Sequence, residues 1–157
     1  MKKKDQLPTV IRIGLIILSW STIFLLPKEA RKKYVPVATF SSLLVVILSM
    51  LSFHFKWWRI KGGVLDKIFN DFSFIFGPYF VGTMWIFHLS FGKFWLYSLI
   101  NIFMDTILLY PFNWLFQKLN VYKLVNITPK QLLYTTLSFA LALYGYQLYI
   151  TRPKSSE

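Results

Sequence analysis

Long apolar blocks, separated by short polar connectors, set the pattern of this chain. Five blocks stand out, over residues 10–26, 37–55, 72–91, 94–110 and 132–150. An uninterrupted apolar run of about 18 residues is long enough to cross the ~30 Å hydrocarbon layer as a helix rising 1.5 Å per residue. Inside lipid the backbone must satisfy its own hydrogen bonds, so such runs become helices, and the period-2 alternation of a membrane β-strand is absent. The pattern predicts an all-α integral membrane bundle of about five transmembrane helices. A basic N-terminal tail over residues 1–9 precedes the bundle of residues 10–150, and a flexible tail over 151–157 follows it. The first block follows Lys2–Lys4 as a signal peptide would. However, the stretch after it, "LLPKEARKK", lacks a small-residue cleavage pattern, and the block reads as a retained helix.

The connectors carry the turn signals. Pro27 ends the first helix and Pro36 starts the second. Gly62 and Gly63 follow "KWWRIK" and allow a turn. Only Gly92–Lys93 separates the third block from the fourth, which predicts a tight antiparallel hairpin. In "NITPKQ", Thr128 reads as an N-cap and Pro129 as the first helical residue. "FNWLFQKL" after Pro111 reads as an interfacial segment or a continuation of the fourth helix.

Composition agrees with this picture. Of 157 residues, 55% are hydrophobic and 20% aromatic, well above a soluble domain. There are 18 Lys plus Arg against 6 Asp plus Glu. The cations sit in the connectors, so anionic lipid headgroups are the expected partner, with other membrane proteins as a further class and no nucleic acid. Lys28, Arg31, Lys32, Lys33, Trp57, Trp58 and Arg59 are the expected headgroup contacts. Arg12, near the start of the first block, is expected to snorkel outward. With five spans, eleven of the 18 cations fall on the side shared by the N-terminus, the second connector and the fourth. That bias predicts a cell-membrane protein with a cytoplasmic N-terminus.

Asp105 and Asn101 interrupt the fourth block one helical turn apart and share a face. An Asp at the centre of a span costs ~2.5–3.5 kcal/mol on insertion scales, so it is expected to face the bundle. The hairpin register sets it opposite Tyr79 and Thr83, whose hydroxyls are candidate donors. Gly77, Pro78 and Gly82 are placed to loosen that helix locally. Asp105, Asn101, Tyr79 and Thr83 therefore form the candidate intramembrane polar site, serving either a relay or helix packing. His54, His88 and Asp105 lie at different depths, so no metal site is expected. Small-residue strips at Ser42, Ser49 and Ser52, and at Thr135, Ser138, Ala142 and Gly145, read as packing seams, and Tyr144, Tyr146 and Tyr149 as an interfacial belt. No Gly-rich phosphate loop, nucleophile elbow or HExxH pattern occurs, so neither a cofactor nor an enzyme activity is expected.

"LLPKEARKKYVPVATFSSLL", "FGPYFVGTMWIFHLSFGKFWLYSLINIFMD" and "LNVYKLVNITPKQL" resemble a group of small multi-pass membrane proteins of spore-forming Gram-positive bacteria. The resemblance implies a membrane protein of such a cell and brings no assigned activity. Two functions are expected from these readings: a non-enzymatic structural or accessory membrane component, or a small transporter or channel subunit using Asp105 and Asn101.

Overall fold

The computed structural model describes residues 3–60 and 62–151. Lys61 and the expected tail from residue 152 lie outside the described residues. The chain folds as α1 (Lys3–Ile23), α2 (Lys28–Phe55), β1 (Trp58–Arg59), α3 (Val64–Phe74), α4 (Phe80–Ser90), α5 (Phe94–Ile107), α6 (Asn113–Lys118), β2 (Lys123–Leu124) and α7 (Pro129–Thr151). Two widened π-turns, Ile75–Tyr79 and Leu108–Phe112, join α3 to α4 and α5 to α6. The result is an all-α fold of five long helices.

Four of the five are long and apolar enough to cross a membrane: Gln6–Ile23, Lys28–Phe55, Val64–Ser90 and Phe94–Lys118. This is a membrane protein. The expected fifth span is a helix, α7, but it is not among the four. Thr135, Thr136, Gln147 and the tyrosines at 134, 144, 146 and 149 dilute its apolar content.

The helix bounds differ from the sequence reading at several ends. α1 begins at Lys3, so most of the expected N-terminal tail is helical. α2 begins at Lys28, directly after Pro27, and Pro36 lies inside it. The "KEARKK" run is therefore helical, with Glu29 favourably placed in the first turn near the positive end of the helix dipole. The third helix starts at Val64, ahead of its apolar block, because Asp66 accepts the Gly63 N–H at 3.0 Å and holds the first turn. The fourth runs on past Pro111 to Lys118, since the π-turn absorbs the missing proline N–H.

The α4–α5 hairpin is as tight as expected. Phe91 (φ −61°, ψ 134°) and Gly92 (φ +90°) form a type II turn closed by Lys93 N–H to Ser90 C=O at 3.0 Å. Its third position requires the positive φ that glycine adopts freely. At Thr128 the expected cap forms: its Oγ accepts the Gln131 N–H at 3.2 Å, and Gln131 Oε1 accepts the Thr128 N–H at 3.0 Å.

α2 and α4 form the most extensive helix pair at the centre, around Val37, Ala38, Met84 and Phe87. Tyr97 on α5 stacks near Phe87 (5.0 Å between centroids) and donates its hydroxyl to Ala140 C=O at 2.7 Å, tying α5 to α7. α7 packs through Leu132, Ala140, Leu143, Tyr144 and Gln147. The expected small-residue seam of α7 is on another face: Ser138, Ala142 and Gly145 are exposed and Thr135 is half-buried. Tyr144 is likewise no belt residue, being buried against Phe91, Phe94 and Tyr97. Ser42, Ser49 and Ser52 on α2 are all buried.

The connectors after α2 and before α7 meet at one end of the bundle. β1 and β2 pair antiparallel, Trp58 with Leu124 and Arg59 with Lys123. Trp57 C=O accepts the N–H groups of Val125 and Asn126 at 2.8 and 3.2 Å, and Asn126 Nδ2 caps Phe55 C=O at 3.1 Å. Arg12 on α1 reaches the same end.

Candidate functional site

α3 is built inside out relative to a helix of a soluble protein. Its buried residues are Lys67, Asn70, Asp71 and Ser73, whereas Val64, Leu65, Ile68, Phe69 and Phe72 are exposed. The polar positions 67, 70 and 71 recur at helical spacing and so share one face. Water would expel that arrangement. An apolar solvent outside and polar partners inside account for it, since ionisable groups within a span turn to the bundle interior.

Asp71 is the centre of the resulting cluster, with only 6% of its surface exposed. Ser49 Oγ donates to its Oδ2 at 2.5 Å. The Trp58 indole N–H donates to Oδ1 and Oδ2 at 3.1 and 3.3 Å. Asn70 Nδ2 donates to Oδ1 at 3.3 Å. Asn70 Oδ1 in turn accepts Arg12 Nε at 2.9 Å, and Arg12 Nη2 donates to Val121 C=O at 3.2 Å. Lys67 stands beside the cluster, its Nζ 4.2 Å from the centre of the Phe53 ring and 5.3 Å from that of Trp58. The cluster thus draws on α1, α2, α3 and both strand connectors.

Three expectations change here. Arg12 does not snorkel; it is buried, because the amide of Asn70 and a free carbonyl offer better partners than headgroup water. The Trp58 indole N–H points inward to Asp71. Lys67, one of the eleven cations counted on the N-terminal side and expected in the second connector, belongs to a buried helix face. Asn70 and Asp71 lie two residues and one residue ahead of the apolar block, where polar side chains read as connector. The legible signal was a basic residue in the first block matched by an acidic one at the edge of the third, on the same side of the membrane.

The sequence-derived polar site lies deeper. Asp105 is half-buried, and Thr136 on α7 lies beside it with its hydroxyl donating to Leu133 C=O at 3.0 Å. The Tyr79 and Tyr97 hydroxyls stand within electrostatic reach of it. Asn101 Nδ2 donates to Tyr97 C=O at 2.8 Å. Thr83 donates to Tyr79 C=O at 2.8 Å and faces Ser41 Oγ at 3.4 Å, so it serves α4 and α2 and not Asp105. The expected loosening at Gly77 and Pro78 is the first π-turn. There the Phe80 N–H bonds to Gly77 and Ile75, passing over Phe76, whose carbonyl accepts Trp20 Nε1 at 2.8 Å.

Among the expected headgroup contacts, Lys28, Lys32, Lys33 and Arg59 are exposed, and Arg31 and Trp57 are half-buried. Lys33 Nζ lies 4.7 Å from the Phe91 ring centre, and Trp57 stacks on Phe55.

Two cavities flank the β1–β2 ribbon. An inner one of about 230 Å³ lies between α2, α3, α6, α7 and the two π-turns, with Ser49, Trp58, Asn70 and Asp71 in an otherwise largely apolar wall. An outer one of about 440 Å³ is lined by Arg59, Ile60, Gln117, Asn120, Tyr122 and Lys123. Tyr122 borders both, and burial pushes its phenol up to about 12. Compared with protein families, curated protein sequences and solved structures, the chain has no match.

Proposed function

We propose that this chain is a non-enzymatic structural or accessory component of the cell membrane. Its N-terminus and ribbon end lie on the cytoplasmic side, among anionic headgroups. One observation carries the reading: the buried carboxylate of α3 is occupied locally. Asp71 accepts from Ser49, Trp58 and Asn70. Neither of the two cavities at the ribbon includes Asp105 in its wall. Ionisable groups that serve an ion or proton path line a water-filled cavity. The cation-rich connectors support the placement, since each Lys or Arg near an anionic leaflet contributes roughly 1 kcal/mol of attraction.

The second reading, a small transporter or channel subunit, draws on the grouping of Asp105 with Asn101 and the Tyr79 and Tyr97 hydroxyls. Reconstitution separates the two. Purified chain in vesicles loaded with a pH-sensitive dye, under an imposed proton or potassium gradient, should leak no faster than empty vesicles. An ion or proton flux that Asp105→Asn abolishes would replace the accessory reading with the transport one.

A further inference from the structure

The β1–β2 ribbon separates a basic cavity from an apolar one, and this division points to a ligand. Arg59 and Lys123 are directly opposed in the ladder. Directly opposed residues project to the same face, and like charges so placed repel. Both line the outer cavity together with Gln117, Asn120 and Tyr122, and no carboxylate shares that lining. The arrangement becomes favourable when an anion sits between the two cations. A phosphate diester suits it, since guanidinium and ammonium supply the charge and the two amides and the phenol supply further donors.

Alternation along the strands sends Trp58 and Leu124 to the other face, where they line the inner cavity. Phe74, Ile75, Leu108 and Phe116 complete an apolar wall there. Asp71 also borders it, but its carboxylate is already engaged by three donors and offers little unmet charge. An acyl chain can lie against such a wall. Ile75 and Leu108 belong to the two π-turns, whose widened backbone opens the space. Among the described residues, Tyr122 is the one that lines both cavities.

We infer that the ribbon end binds one anionic phospholipid, its phosphate between Arg59 and Lys123 and one acyl chain past Tyr122 into the inner cavity. This rests on the reading that the ribbon end lies among anionic headgroups.

The full chain, stripped of lipid in mild detergent, tests it by native mass spectrometry with phosphatidylglycerol or phosphatidylcholine of identical chains. One phosphatidylglycerol should remain bound per chain, at least ten-fold above phosphatidylcholine. The double variant Arg59→Gln/Lys123→Gln should fall to the phosphatidylcholine level, and Arg59→Lys/Lys123→Arg should hold the ligand. Glycerol phosphate, which has the head but no chain, should fail to compete at a hundred-fold excess. Equal retention of the two lipids, or an unchanged glutamine variant with an unchanged melting profile, overturns the site. Displacement by glycerol phosphate or inorganic phosphate overturns the acyl part and leaves a plain anion site. An ion flux in the vesicle assay would remove the accessory reading without altering these outcomes.

Discussion

Arg12 and Asp71 are held one side chain apart. Asn70 lies between them, its Oδ1 accepting from Arg12 at 2.9 Å and its Nδ2 donating to Asp71 at 3.3 Å. The amide converts two buried charges of opposite sign into a hydrogen-bonded relay, each end of which has further partners. Asn70→Leu takes one partner from each charge, while Val121 still holds Arg12 and Ser49 and Trp58 still hold Asp71. A lost hydrogen bond to a charged group typically costs about 1.5–3 kcal/mol. Melting of the detergent-solubilised chain, followed by tryptophan fluorescence, should show that loss for Asn70→Leu and a smaller one for Asn70→Gln.

Two serines on one face of α2 should behave oppositely. Ser49 donates to Asp71, so Ser49→Ala withdraws a charge-assisted bond and should destabilise by about 1–3 kcal/mol. The Ser42 hydroxyl is buried with no partner among the described residues. Ser42→Ala removes an unmet polar group and should be neutral or stabilising. The same melting assay compares them. Equal losses would show that the face responds to packing volume and not to hydrogen bonding.

Gly77 in the first π-turn lies against Ile16 of α1. A Cβ there would lie 3.2 Å from Ile16 Cγ1 and 3.3 Å from Ile16 Cα. The backbone contact cannot rotate away. Gly77→Ala should therefore destabilise by about 1–3 kcal/mol, as overpacking does. Gly82→Ala, where a Cβ would meet nothing within 4 Å, should not. Paired melting curves decide this.

Tyr122 gives a pH dependence. Its phenol ionises near 10 in an unfolded chain and is pushed up to about 12 by burial in the fold. The unfolded state therefore loses this proton first as pH rises. The contribution is fully present below pH 10 and is lost as pH climbs to about 12. The stability difference between the chain and its Tyr122→Phe variant should be flat up to pH 10 and shift in favour of the variant above it. A difference that stays flat to pH 12 would mean that the phenol is hydrated.

The helices were legible because apolar length reports a membrane span directly, and the α4–α5 turn because Gly92–Lys93 leaves no other geometry. The start of α3 was not. Val64–Asp71 alternates charge with apolar residues and reads as a connector until it is known that the apolar positions face outward. Asp105 drew attention because it interrupts a block, whereas Asp71 sits at a block's edge, where a carboxylate looks unremarkable. What distinguished them was tertiary: Ser49, Trp58 and Asn70 converge on Asp71 from α2, β1 and α3. Nothing in the local spacing of those residues announces the convergence. α7 is less apolar than its length suggests because its tyrosines carry hydroxyls, yet Tyr97 and Tyr144 show how such rings can serve the interior.

The bond from Arg12 to the Val121 carbonyl joins residues 109 positions apart. During synthesis at ~5–20 residues per second, the guanidinium enters the bilayer several seconds or more before its acceptor exists. Until then the guanidinium can reach only the Asn70 amide, 58 positions on, and its second bond waits until the fourth long helix has been delivered.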